Sequence, residues 1–143
     1  MDVMNREKAE QVWQRVRSGT PQAMAAQLEE MILEEKAAAA AYLQLSRKYP
    51  GRQAGILYRM FQREQAHAAC LKGIYTMLTG QKLSLSGHQH VDANLRSCYG
   101  REMRCLARYE QHTGHPEFGA VFARLAQEER AHCLSLLELL GKG

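Results

Sequence analysis

Nowhere in this sequence do apolar residues run for the ~20 positions a membrane-spanning helix requires, so no membrane partner is expected. Cys-x-x-Cys is missing as well. Cys70, Cys98, Cys105 and Cys133 stand singly, which excludes a zinc ribbon or an attached rubredoxin-type iron centre. Lone thiols set in helical patterns suit a reducing cytoplasm. The opening stretch MDVMNREKAEQVW is charged where a secretory signal would be apolar, so no signal is expected. Basic residues form no massed run. A net charge of +4 spread at helical spacing gives no motive for nucleic-acid binding and reads as a solvated face. Proline occurs three times and aromatics make up 7% of the chain, while alanine is abundant. That balance favours an all-α chain of a single domain, and 143 residues suffice to bury one core without disulfides.

Breakers divide the chain into segments. Thr20-Pro21 reads as an N-cap followed by a first-turn proline, opening a helix that runs to about Lys48. Tyr49-Pro50-Gly51 stops it, and a second helix follows from about Arg52 to Leu78, ended by Thr79-Gly80. Residues 81–91 carry no helical stripe. Asp92 is the expected N-cap of a third helix ending near Thr113-Gly114, and Pro116 opens a fourth that continues to Leu140. Ahead of these, Met4, Ala9, Val12, Trp13 and Val16 recur at roughly helical intervals. Residues 1–19 are therefore expected to form a short amphipathic helix, Trp13 being its packing anchor, which docks on the bundle of 20–143 or on a neighbouring subunit.

The chemistry resides in a repeat. The second helix holds Glu64-Gln65-Ala66-His67 and the fourth holds Glu129-Arg130-Ala131-His132. A Glu and a His three residues apart lie on one helix face and reach the same point in a bundle interior. One such pair is weak evidence, because chance supplies about half a pair in a chain of this composition. The other two helices change the odds. Glu35 precedes Tyr42 by seven residues, and Glu102 precedes Tyr109 by seven, two helical turns in each case. Glu-x6-Tyr followed by Glu-x-x-His thus occurs twice, the copies about 66 residues apart.

Four carboxylates and two imidazoles cannot share a bundle core unaided. Their burial would cost many kcal/mol, and the carboxyl pKa values would rise until most were protonated. Two divalent cations would cancel four negative charges and complete the coordination. Mixed oxygen and imidazole donors suit iron, with manganese the alternative. A two-fold relation between the halves makes the second and third helices parallel, so their linker must traverse the bundle. About 12 extended residues span roughly 40 Å, the length of the second helix, and an exchange of helix pairs between two subunits would ease the fit.

Residues 20–141 resemble the ferritin-like superfamily, in particular its rubrerythrin-like diiron-carboxylate branch. The resemblance is carried by LEEKAAAAAY (33–42), REQAH (63–67), REMRCLARY (101–109) and QEERAH (127–132). It implies a ferritin-like four-helix bundle with a long crossover between the second and third helices. It further implies that Glu64 and Glu129 bridge two metal ions, that Glu35 and Glu102 each cap one, and that His67 and His132 are terminal ligands. Tyr42 and Tyr109 would hydrogen-bond ligand carboxylates. The implied activity is reduction of hydrogen peroxide or dioxygen with electrons from a separate donor protein, in a homodimer. Dimanganese catalase-type disproportionation and non-enzymatic iron binding or storage are the alternatives. Cys105 stands where rubrerythrins carry a further Glu, no rubredoxin domain is present, and Gln65 replaces the haem-binding Met of bacterioferritins. Glu34 and Glu128, which flank ligand positions, are expected at the surface; Cys70 and Cys105 are expected as small buried hydrophobes. His88, His90, His112 and His115 are expected to be solvated loop residues.

Overall fold

Alanine-rich, proline-poor segments bounded by strong breakers fold into four helices in the computed structural model, which describes residues 21–85 and 91–142. These are α1 (Pro21–Lys48), α2 (Gly51–Thr79), α3 (Leu95–Gln111) and α4 (Gly119–Lys142). The helix expected near residues 4–17 lies outside the described residues, as do His88 and His90.

Each boundary has a local cause. Pro21 opens α1, where its missing N–H costs nothing, and Arg47 and Lys48 complement the dipole at its end. Extended Pro50 interrupts the chain before α2, and Gly80 closes α2 in the left-handed region (φ 72°), its N–H bonding Thr76 O at 2.8 Å. The third helix is shorter than expected, and the fourth begins at Gly119, after a turn over 116–118, instead of at Pro116. The α3 cap is Asn94, whose side chain accepts from the Ser97 amide at 2.8 Å, instead of Asp92. At the α3–α4 corner His115 Nδ1 accepts from the amides of Glu117 and Phe118. This imidazole is therefore a turn-forming residue and not a freely solvated one, and His112, also expected in solvent, is half-buried with its ring centroid 5.2 Å from that of Phe122. Gly119 then passes so close to Thr113 that a Cβ would lie 2.3 Å from its carbonyl oxygen.

Apolar positions gather into two layers. One contains Met24, Leu28, Ile32, Leu71, Ile74, Leu106, Phe122 and Leu125; the other contains Leu45, Leu57, Met60, Leu95, Leu136 and Leu139. The order in which each helix meets these layers fixes its direction. α1 and α4 begin at the first layer, α2 and α3 at the second. Packing joins α1 to α2, α3 to α4, α1 to α3 and α2 to α4. Every neighbouring pair is thus antiparallel, and the parallel pairs α1/α4 and α2/α3 lie on the diagonals.

The described ends of the α2–α3 connection lie at opposite layers of the bundle. Leu83 and Leu85 pack against the first layer, Val91 and Ala93 against the second. Because α3 starts only at Leu95, about 15 residues are available, and at ~3.3 Å each they reach about 50 Å. No described helix is long and apolar enough to cross a membrane.

Candidate metal centre

Between the two apolar layers lies a polar one. Each helix crosses it once, and the crossing residues are those of the repeat: Glu35 on α1, Glu64 and His67 on α2, Glu102 on α3, Glu129 and His132 on α4. The four Glu side chains are fully buried, and His67 and His132 are 1% and 7% exposed. An i, i+3 pair on α2 and another on α4 put four side chains at one level, and α1 and α3 close the ring.

The ring has near two-fold geometry. His67 Nδ1 lies 2.7 Å from Glu129 Oε1, 3.4 Å from Glu35 Oε2 and 3.7 Å from Glu64 Oε1. His132 Nδ1 lies 2.7 Å from Glu64 Oε1, 3.6 Å from Glu102 Oε2 and 4.0 Å from Glu129 Oε1. Two overlapping quartets result: Glu35, Glu64, His67 and Glu129 in one, Glu64, Glu102, Glu129 and His132 in the other. Within each, donor atoms from every residue come within 4.8 Å of one another, so each quartet could hold a metal ion.

The donor atoms are otherwise unused. Glu35 Oε2, Glu102 Oε2, both oxygens of Glu64 and of Glu129, and Nδ1 of His67 and His132 are buried and complete no hydrogen bond. Six carboxylate oxygens facing two imidazole nitrogens leave most of the acceptors without a donor if nothing else binds them, at ~1–3 kcal/mol for each unsatisfied buried polar group. Carboxylate oxygens and imidazole nitrogens are donor types that metal cations accept, and their convergence could hold such an ion.

Each tyrosine serves the other helix's glutamate. Tyr42 on α1 donates to Glu102 Oε1 on α3 at 2.7 Å, and Tyr109 on α3 donates to Glu35 Oε1 on α1 at 2.5 Å. Side-chain direction explains the exchange. Residues on a helix lean toward its N-terminus, so Glu35 leans away from Tyr42, two turns further on. In the antiparallel neighbour Tyr109 leans toward Glu35 and meets it. Each bond occupies one oxygen and leaves the other facing the quartet.

The electrostatics reflect crowding. Burial pushes the Glu64 carboxyl well above the usual carboxylate range, and the charges of Glu102 and Glu35 push it further. Burial also raises Glu102, with His132 and Tyr42 pulling the other way. Burial acts on Glu35 too, but Glu64, His67 and Tyr109 outweigh it and hold that carboxyl below its ordinary value. Both tyrosine hydroxyls are pushed far up by burial and by the neighbouring carboxylates, so they remain protonated donors at any ordinary pH.

Some flanking residues differ from expectation. Glu34 and Glu128 are half-buried: Glu34 pairs with Arg101 at 3.6 Å, while Glu128 pairs with Arg63 at 2.5 Å and with Nε2 of His67. Spacing along α4 alone predicts a surface position for Glu128; its reach across to α2 depends on the α2/α4 contact. Cys105 is buried as expected, and burial drives its thiol pKa strongly upward. Cys70 is instead exposed, on a groove of about 420 Å³ that also touches Arg63, His67, Arg124 and Glu128. Compared with protein-family models, curated proteins and solved structures, this chain matches none.

Proposed function

We propose that the chain is a dinuclear metal-carboxylate protein of the ferritin-like, rubrerythrin-like kind, working as an oxidoreductase that reduces hydrogen peroxide or dioxygen with electrons from a separate donor protein. The observation that carries this reading is the layer of eight buried ligand-type atoms that complete no hydrogen bond and converge in two quartets. Glu64 and Glu129 belong to both quartets and are the bridging ligands; Glu35 and His67 complete one site, Glu102 and His132 the other. Four carboxylate charges balance two divalent ions, with iron preferred and manganese the alternative. Bound iron would supply two one-electron equivalents, matching the two-electron reduction of peroxide.

The chain's own residues prepare the site. Tyr109 and Tyr42 hold Glu35 and Glu102 each by one oxygen, so the second oxygen points inward before any metal arrives. The apolar layers above and below keep bulk water away and strengthen every interaction between them. Four free thiols fit a reducing cytoplasm, and exposed Leu134, Leu137 and Leu140 on α4 give a homodimer apolar surface to use.

The test is peroxide and dioxygen consumption by iron- or manganese-loaded protein, with and without a reductant. A single stoichiometric turnover without reductant, made continuous by adding one, is the expected result. Sustained dioxygen release from peroxide without reductant would identify the dimanganese disproportionation instead. Should neither oxidant react with the reduced, loaded protein, the oxidoreductase reading fails and metal binding alone is left.

A further inference from the structure

The two quartets are alike in their ligands but not in what stands behind their histidines. Glu128 reaches from α4 to α2 and takes Nε2 of His67 with one carboxylate oxygen, while Arg63 Nη2 holds the other at 2.5 Å. A carboxylate can only accept here, so Nε2 of His67 carries the proton and Nδ1 faces the carboxylates of its quartet. By the repeat, the position equivalent to Glu128 is the residue before Glu64, and that residue is Arg63. A guanidinium offers only donors and cannot perform the same task for His132. Among the described residues no carboxylate lies within ion-pair distance of His132 Nε2; its ring is placed by an edge contact with Tyr42 at 6.2 Å.

Resting on the metal-centre reading above, we propose that Glu128 is a positioning residue that fixes His67 as an Nδ1 ligand and makes the two half-sites unequal, the His67 quartet taking a divalent cation the more tightly. A carboxylate behind a ligand imidazole raises its basicity and removes the freedom it would lose on binding. Loss of such a partner typically weakens a metal about 10–100-fold. Step sizes in the intact protein cannot isolate this effect, because a second cation sharing Glu64 and Glu129 always enters against the charge of the first. Single-histidine backgrounds can.

Co(II) titration followed by its visible absorption provides the measurement, on His132→Ala (His67 quartet intact) and His67→Ala (His132 quartet intact). The His132→Ala protein is expected to bind Co(II) more tightly than the His67→Ala protein. Adding Glu128→Ala should weaken the former about 10–100-fold and leave the latter unchanged. Glu128→Gln, whose carbonyl still accepts the Nε2 proton, should recover part of the loss. Equal weakening in both backgrounds would reduce Glu128 to a nearby negative charge and overturn the proposal, as would no weakening in either. If a histidine variant fails to fold, ¹⁵N-histidine spectra of Zn(II)-loaded wild type and Glu128→Ala decide. Zn(II) shifted off Nδ1 of His67 in the variant supports the positioning role, and unchanged Nδ1 ligation refutes it. Wild type that binds no Co(II) at all would remove the metal-centre reading itself, whereas two bound ions with an indifferent Glu128→Ala would remove only this inference.

Discussion

Replacing Tyr109 by Phe deletes one hydroxyl and almost no volume, which makes it a clean probe of the exchanged tyrosine bonds. Tyr109 is fully buried and its hydroxyl donates to Glu35 at 2.5 Å, across from α3 to α1. Glu35 is the carboxyl held below its ordinary value, so at pH 7 the bond is to a charged acceptor. Such bonds contribute ~1.5–3 kcal/mol, and the orphaned carboxylate left behind has no water to replace the donor. Tyr109→Phe is therefore expected to lower the stability of chelator-treated protein by about 2 kcal/mol in urea denaturation followed by circular dichroism. The pairing is tested by double-mutant cycles. Tyr109→Phe combined with Glu35→Gln should show a coupling of about 1–2 kcal/mol, whereas the same change combined with Glu102→Gln, on Tyr109's own helix, should be additive to within about 0.5 kcal/mol. Stronger coupling to Glu102 than to Glu35 would refute the exchanged arrangement, and a Tyr109→Phe cost below about 0.5 kcal/mol would refute the argument from burial.

Four further outcomes follow from local features. Gly119→Ala forces a Cβ against the Thr113 carbonyl, a backbone atom that cannot swing aside, and should cost about 1–3 kcal/mol in the same denaturation assay. Asn94→Ala removes the α3 cap and should cost about 0.5–2 kcal/mol, with amide exchange quickened at Ser97. Native maleimide labelling read by mass should modify Cys70 first, because Cys98, Cys105 and Cys133 are buried, with burial lifting Cys98 and Cys133 to about 11; denaturation should expose all four. Burial, with the neighbouring His115, holds His112 below its ordinary value. Its contribution is thus complete above the unfolded value and lost as pH falls through the folded one, and His112→Gln should flatten the stability-pH slope below about pH 6.5.

Much of this arrangement was legible in the sequence, for reasons that particular residues make plain. The i, i+3 spacing of Glu64 with His67 and of Glu129 with His132 forces common faces, and Pro21, Pro50 and Gly80 mark helix ends by chemistry that tertiary context does not alter. All six repeat residues reach one buried layer, as their periodicity required. Asn94 displaced Asp92 as the cap because both are good cap residues within two positions of each other, and only the docking of Leu95 into the second layer decides between them. Each three-residue step falls about 60° short of a full turn, so Cys70, two such steps past Glu64, is rotated about 120° from it and emerges at the groove that His67 also lines. The tyrosine exchange and the Glu128–His67 bond both cross between helices. They depend on which helices are neighbours and in what direction, information that spacing along one segment does not contain. The antiparallel neighbours and the N-terminal lean of helical side chains supply it once the topology is known.

Metal stoichiometry tests most directly whether the buried layer is a two-ion centre. Protein purified without chelators, with its metal content determined by elemental analysis after saturation with Fe(II) or Mn(II) and desalting, should retain two ions per chain. Alanine at both shared carboxylates, Glu64 and Glu129, should abolish retention while leaving the helical circular dichroism in place. Wild-type protein that retains no metal, or a double variant that retains as much as wild type, would contradict the claim.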